Sequence, residues 1–228
     1  MLPTYNEREN IGDLIETLLR IMTPLSWKTR IMVVDDNSPD GTADLVRERF
    51  SGRSEVDLLV RTTERGLATA IAAGIEQSQA EVIAVMDTDF NHHPNDLPRL
   101  LDRLTEADLV IGSRYISGGG MKTSRLRYWG SWVFNVFIRL TLGSPVKDNL
   151  SGFLVFRREI ITRLKDQAIF YGYGDYCIRL IHYARKAGIK IREVPVVYEF
   201  RMGGESKTDF SRYIISYFKA TLALRFSR

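Results

Sequence analysis

Apolar residues recur at helical spacing from Ile11 through Leu14, Ile15, Leu18 and Leu19, behind an Asn6-x-x-Glu9 pair that resembles a capping box. Arg30–Val34 breaks that period with a β-branched run and predicts a buried strand, and Gly41–Phe50 predicts a helix. The alternation continues with a strand over Val56–Val60, a small-residue helix from Gly66 to about Gln77 and a strand over Glu81–Met86. A helix from Pro94 through Leu104, opened by proline at its first position, and a strand over Leu109–Ile111 follow. Strands alternating with helices of ten or more residues imply parallel βαβ units and an α/β domain.

After Ser113 the pattern changes. Ser117-Gly-Gly-Gly120 predicts a flexible stretch, followed by Arg125, Arg127 and an aromatic-rich segment over Tyr128–Leu142. Gly152–Phe156 and Ile189–Tyr198 predict further strands, with a helix over Asp175–Ala187 between them and Asp175 placed to cap it. Asp209–Arg228 is an amphipathic stretch in which Phe210, Tyr213, Ile214, Tyr217, Phe218 and Leu222 are interleaved with Arg212, Lys219 and Arg225. That pattern suits a helix lying on a membrane surface, or one docked on the domain's own core. Only Met1 and Leu2 precede Pro3-Thr4-Tyr5-Asn6-Glu7, so the first strand is expected to be truncated.

Composition narrows the class. The 228 residues are 44% hydrophobic and 26% charged, an ordinary globular balance. The single Cys177 excludes intramolecular disulfides and a cysteine-built zinc site, and suits a reducing compartment. No secretory signal is expected, and no apolar run approaches the roughly 20 residues of a spanning helix. Charge is unevenly spread: residues 1–111 hold 11 Lys/Arg against 20 Asp/Glu, and residues 112–228 hold 21 against 8. An acidic half suited to a cation thus precedes a basic half suited to phosphates or an anionic membrane. The basic residues are scattered among apolar ones without a recognised motif, so nucleic acid is not the expected partner.

Two acidic clusters carry the candidate chemistry, Val33-Val34-Asp35-Asp36-Asn37-Ser38 and Val85-Met86-Asp87-Thr88-Asp89. Each follows an apolar run, so each places carboxylates at a strand end, where open α/β sheets bind ligands. Crowded carboxylates repel one another unless a cation joins them, and hard cations take oxygen ligands.

These segments, with Gly112-Ser113-Arg114-Tyr115, resemble the ordered motifs of family 2 glycosyltransferases. Asp148-Asn149-Leu150-Ser151-Gly152-Phe153 and Arg201-x-x-Gly204-Glu205-Ser206-Lys207 are similar to the dolichol-phosphate or polyprenol-phosphate mannosyltransferase branch. The resemblance implies a GT-A fold: a mostly parallel twisted sheet flanked by helices, over residues 1–208, with a C-terminal amphipathic helix over 209–228. It implies inverting, metal-dependent transfer of one sugar, with Mg²⁺ or Mn²⁺. The expected donor is GDP-mannose and the acceptor a polyprenyl phosphate. The enzyme would sit peripherally at the cytoplasmic membrane face, on its own helices or on a separate membrane subunit. A UDP-sugar donor, as in a polyprenyl-phosphate glucosyltransferase, and a non-catalytic nucleotide-binding homologue are the alternatives.

By the same resemblance, Pro3, Tyr5, Glu7, Asp35 or Asp36, Asp87 and Thr88 would bind the nucleotide sugar. Asp87, Asp89 and Asn91 would be the metal-side residues, and Asp89, Arg114, Arg201 and Lys207 the catalytic set. Arg114, Arg125, Ser206 and Lys207 would hold the acceptor phosphate. A polyprenyl phosphate is already anionic, so no general base is required. Catalysis needs two anions positioned against their repulsion and charge stabilised on the departing diphosphate. The family usually carries Gln and then His-Pro after the second Asp; here the order is Asn91-His92-His93-Pro94. The shorter Asn91 suits a water bridge better than direct coordination, and both histidines are expected to be structural. Asp148 and Ser151 are expected to fix a turn, and Arg65 to face the diphosphate.

Overall fold

A computed structural model describes residues 1–122, 125–200 and 210–226. Its first strand is β1 (Leu2–Thr4), three residues long, paired in parallel with β2 (Ile31–Asp35), which pairs in parallel with β3 (Val56–Val60). Helix α1 (Arg8–Met22) joins β1 to β2 and α2 (Thr42–Arg49) joins β2 to β3. α1 does not begin with the expected capping box. Asn6 takes a left-handed conformation (φ 55°), Glu7 stands at the N-cap, and the Arg8 N–H is met by Asp40 Oδ2 at 3.1 Å from the next loop.

After α3 (Leu67–Gln77), β4 (Val82–Val85) lies beside β1: the Met1 nitrogen donates to the Ala84 carbonyl at 2.8 Å. β5 (Leu109–Ser113) does not pair with β4, because β7 (Leu154–Arg157) runs antiparallel between them. β8 (Ile191–Pro195) completes this sheet in parallel with β5. Through Met1 the strands read β3-β2-β1-β4-β7-β5-β8, so β1, β2 and β4 bring their carboxyl ends side by side. A short β6 (Gly120–Met121) pairs in parallel with β9 (Val197–Tyr198) above that end. The stretch expected to be flexible is folded there: a Cβ on Gly119 would lie 2.5 Å from the Ser113 carbonyl oxygen.

Both faces of the sheet are covered, as a parallel sheet requires. Ile11, Leu14, Leu18 of α1 and Leu97, Leu100 of α4 (Leu97–Asp102) fill one face. Ile71 and Ile75 of α3, Ile160 of α6 (Glu159–Arg163) and Leu180, Ile181 of α7 (Tyr176–Lys186) fill the other. The helix expected over Pro94–Leu104 is split into a 3₁₀ turn over Pro94–Asp96, α4 and a second turn over Arg103–Thr105. Pro98 has no N–H to donate back to residue 94, so the α-helical ladder cannot run through. Asp175 stands at the N-cap of α7 but does not cap it. Its carboxylate accepts from the Tyr173 N–H and from the buried Arg179, at 2.8 and 2.7 Å.

α5 (Arg125–Leu142) and α8 (Phe210–Phe226) lie against one another and against α7 through Phe134, Ile138, Tyr217 and Leu224. No helix among the described residues is long and apolar enough to cross a membrane. Beside them, buried His182 of α7 has no hydrogen-bond partner for either ring nitrogen among the described residues. Burial, then Lys186 and Arg185, pushes its pKa down to about 4.

α3 approaches the sheet closely because residue 74 is glycine. A Cβ there would meet the Met1 sulfur at 2.1 Å and a Val34 methyl at 2.9 Å. Gly74→Val is expected to cost about 1–3 kcal/mol by overpacking. Gly130→Ala, on α5 with nothing within 4 Å of the added carbon, is expected to gain up to about 1 kcal/mol. Urea midpoints of the two variants check the contrast. His182 gives a pH dependence: its contribution is complete above an unfolded pKa of about 6.5 and lost as pH falls toward the folded value. Urea unfolding between neutral pH and about pH 4 should show less acid destabilisation in His182→Leu than in the parent.

Candidate active site

The loops after β1 and β2 are locked together by hydroxyl donors. Asp35 is fully buried and accepts from Thr4 Oγ1 (2.8 Å), the Ser38 N–H (2.8 Å) and Ser38 Oγ (2.6 Å). The Asn6 N–H donates to Ser38 Oγ at 2.9 Å and the Glu7 N–H to Thr42 Oγ1 at 3.0 Å. This web gathers Pro3, Tyr5, Glu7, Asp35 and Asp36 at one end of the sheet. Within it Asp35 ties the two loops together.

Asp36 points to the other side of its strand. It accepts from Arg61 Nε at 2.7 Å and from the Gly66 N–H at 2.8 Å, the latter at the start of α3. Arg61 itself is buried and reaches Thr69 Oγ1 at 3.0 Å and the Gly66 carbonyl at 3.1 Å. Arg65 is exposed and stacks over Tyr5, its Cζ 5.0 Å from the ring centroid, with Nη1 donating to Tyr5 Oη at 3.2 Å. The sequence reading missed Arg61; a lone arginine one residue past a strand carries no sign of the partner that buries it.

The second cluster forms the turn after β4. Thr88 and Asp89 are buried, and Phe90 takes φ 61°. Asp89 accepts from the Asn91 N–H at 3.0 Å and from Asn91 Nδ2 at 2.7 Å, so Asn91 first orients Asp89. Asp87 differs: its side chain is 44% exposed. Opposite it Gly152 leaves an open face, where a Cβ would come within 3.4 Å of Asp87 Oδ1. His93 accepts from the Asn95 N–H at 3.2 Å and starts the Pro94 turn. His92 is buried and binds the Asp87 N–H through Nδ1 at 3.0 Å and Tyr198 Oη through Nε2 at 2.7 Å.

Among the described residues no three His, Cys, Asp or Glu side chains cluster as a closed metal cage. Two carboxylates on one turn, Asp87 half-exposed and Asp89 oriented, fit a hard cation that takes its remaining oxygens from a phosphate ligand. That donor chemistry is compatible with Mg²⁺ or Mn²⁺ and unsuited to a softer metal.

Arg114 follows β5 and is buried against Asp148. Nε and Nη2 each donate at 2.7 Å in a bidentate pair, and its backbone N–H donates to the same carboxylate at 3.0 Å. Burial opposes the charge, and Asp148 more than offsets it, holding the guanidinium well above its ordinary range. The Cζ stacks 4.5 Å from the Tyr198 centroid and 5.1 Å from that of Tyr115. Arg114, expected to handle phosphates, is set into the wall of the candidate site, and Asp148 orients it. Ser151 fixes its turn by donating to the Gly112 carbonyl at 2.6 Å. Arg125 is exposed at the first turn of α5. Arg201, Ser206 and Lys207 lie outside the described residues.

An α/β domain that collects carboxylates and a buried arginine at the carboxyl ends of β1, β2, β4 and β5 is a nucleotide-sugar transferase scaffold in outline. The glycosyl transferase family 2 model matches residues 1–164, and the chain belongs to that family. It is 37% identical over 214 residues to an undecaprenyl-phosphate mannosyltransferase from Micrococcus luteus, covering 91% of this chain and 85% of that protein. It is 32% identical to a dolichol-phosphate mannosyltransferase from Pyrococcus furiosus, covering 91% of this chain and 58% of that one. Its fold is shared with a solved glucosyl-3-phosphoglycerate synthase from Mycobacterium tuberculosis in complex with Mn²⁺, UDP and phosphoglyceric acid. The TM-score is 0.73 at 18% identity, over 100% of this chain and 78% of that one.

Arg61→Ala would leave the Asp36 carboxylate buried without its cation, and removing one partner of such a pair costs about 3–5 kcal/mol. Chemical denaturation of this variant should show a loss of that order. Arg30→Ala, which breaks an exposed pair with Asp57, should lose no more than about 1 kcal/mol.

Proposed function

We propose that the chain transfers one mannosyl group, with inversion, from a nucleoside-diphosphate donor, GDP-mannose, to a polyprenyl phosphate. The observation that carries the reading is the half-exposed Asp87 carboxylate beside Gly152, linked through His92 and Tyr198 to the buried Arg114–Asp148 pair. Acid on one side and a fixed guanidinium on the other suit two phosphate-bearing substrates approaching one sugar. The names of the relatives support the acceptor and the sugar.

In this reading the nucleoside lies against Pro3, Tyr5 and Glu7, with Asp36 and Arg61 holding the loop beneath it. Asp87 and Asp89, with Asn91 orienting Asp89, would hold a divalent cation. When bound, that cation supplies positive charge against the leaving diphosphate. An oxygen of the acceptor phosphate forms the new bond to the anomeric carbon as the bond from that carbon to the diphosphate oxygen breaks. The acceptor is already ionised, so no protein group removes a proton. Arg114, fixed by Asp148 and stacked on Tyr198, contributes a preorganised positive field for the two anions. Arg125, Arg201, Ser206 and Lys207 complete the acceptor set.

The same reading places the molecule on a membrane surface. α5 and α8 each bury one stripe, with Phe137 stacked on Phe218 at 5.0 Å. Each also leaves large apolar side chains outside: Leu126 (82% exposed), Trp129 (56%), Val133 and Leu140 on α5, Ile215 and Phe226 on α8. One face of the C-terminal helix is docked on the domain's own core, and the exposed apolar residues of the other support the membrane-surface reading. Tryptophan among aliphatic and basic residues suits the headgroup layer where a polyprenyl phosphate presents its charge, at the cytoplasmic face or through a membrane subunit.

The test is transfer of labelled sugar to a polyprenyl phosphate in detergent, from GDP-mannose and in parallel from UDP-glucose, with Mg²⁺, Mn²⁺ or EDTA. Metal-dependent labelled lipid from GDP-mannose is expected. Asp87→Asn should lose at least about a hundredfold in rate while melting within a few degrees of the parent. Label from UDP-glucose alone would replace the sugar, and undiminished transfer with EDTA would remove the cation from the scheme.

A further inference from the structure

A directed chain of hydrogen bonds runs behind the candidate site. The Asp87 N–H donates to His92 Nδ1 at 3.0 Å, so that nitrogen carries no proton and the imidazole is the Nε2–H tautomer. His92 Nε2–H then donates to Tyr198 Oη at 2.7 Å, with Asp87 Oδ2 itself 3.7 Å from Nε2. The Tyr198 hydroxyl donates to Ser151 Oγ at 3.2 Å, because the Ser151 proton is already directed to the Gly112 carbonyl at 2.6 Å. Every donor in the chain is matched, and His92, Ser151 and Tyr198 are all buried. His92 is stacked on Phe153 with centroids 5.0 Å apart, so its ring cannot turn without disturbing the core.

Tyr198 is the junction. Its ring lies under the Arg114 guanidinium, and its carbonyl accepts the Lys122 N–H at 2.8 Å. The next residue's N–H, that of Glu199, donates to the Asn91 carbonyl at 3.1 Å, and its carboxylate meets Lys122 Nζ at 2.8 Å. The Tyr198 side chain thus touches His92 on the turn after β4, Ser151 ahead of β7 and the Arg114 guanidinium just past β5. β9, on which it sits, directly precedes Arg201, Ser206 and Lys207 in the sequence.

We propose that Tyr198 acts through His92 as a positioning residue for the Asp87 carboxylate, coupling the cation-side turn to the Arg114 wall. The inference rests on the functional reading above and gives a positioning role to His92, which the sequence reading took as structural, and to Tyr198, which it did not single out. A histidine anchored behind a metal-side carboxylate behaves like the outer-shell partners of metal sites, whose loss weakens metal affinity about 10–100-fold.

The test measures Mn²⁺ binding to the full chain in the presence of GDP, by the EPR signal of free Mn²⁺, beside Tm and transfer rate. Tyr198→Phe keeps the ring, its packing and the Arg114 contact while deleting the hydroxyl; a Mn²⁺ half-saturation raised about tenfold, with Tm shifted by a few degrees at most, is expected. His92→Asn keeps an acceptor for the Asp87 N–H but loses the donor to Tyr198, and should weaken Mn²⁺ similarly. It carries the test should Tyr198→Phe fail to fold. His92→Phe removes both bonds and should weaken Mn²⁺ further. Parental Mn²⁺ affinity in Tyr198→Phe or His92→Asn, with only Tm lowered, would show the chain to be core packing and overturn the proposal. Asp87→Asn is the control: if it too binds Mn²⁺ like the parent, the cation reading itself is wrong and the relay's role falls with it.

Discussion

A carboxylate withdrawn from water must be met by donors, and most of the architecture at the carboxyl ends of these strands follows from how that is done. Asp35, Asp36, Asp89, Asp148 and Asp175 are all buried. Asp35 is met by hydroxyls and an amide from two loops, Asp36 by Arg61 and the first N–H of α3. Asp89 is met by Asn91, Asp148 by Arg114, and Asp175 by Arg179. The partners of Asp35, Asp36 and Asp148 tie one loop to another, so these acids act as fasteners of the loops around the candidate site. Asp87 stands apart as a half-exposed carboxylate on a turn whose backbone is pinned from behind.

Much of this was legible in the chain. β-branched runs ending in aspartates gave β2 and β4 to within a residue or two, and helical periodicity gave α1, α3 and α7. Pairing partners were not legible. Nothing in Leu154–Arg157 announces that it runs antiparallel between β4 and β5, because a short apolar strand buried on both sides carries no mark of direction. The same limit applies within the site. Asp35 and Asp36 are neighbours in sequence and face opposite sides of a strand, so their roles divide only when Thr4 and Arg61 are seen in place. Tyr198 stands 106 positions from His92, and a tyrosine in an apolar strand reads as core until its hydroxyl finds a partner. The family motifs pointed to the candidate site; burial and hydrogen bonds then show which motif residues hold structure and which are left exposed.

The acceptor imposes a further constraint on the fold. A polyprenyl phosphate carries its charge at the membrane surface and its chain beneath, so an enzyme acting on it must bring fixed charges to the headgroup layer without being drawn into hydrocarbon. α5 begins with exposed Arg125 and continues with Leu126, Trp129 and Val133 outward, while Phe134 and Ile138 face α7 and α8. Such a helix can rest on lipid with one face because the other is held by Tyr217 and Leu224. Its depth is set by packing as well as by lipid affinity. The reacting groups stand on the sheet, at strand ends whose positions are fixed by buried ion pairs that cost several kcal/mol to break. In the proposed reading, rigid strand ends together with an amphipathic pair of helices would separate two tasks, precise alignment of two anions and tolerant contact with a fluid surface.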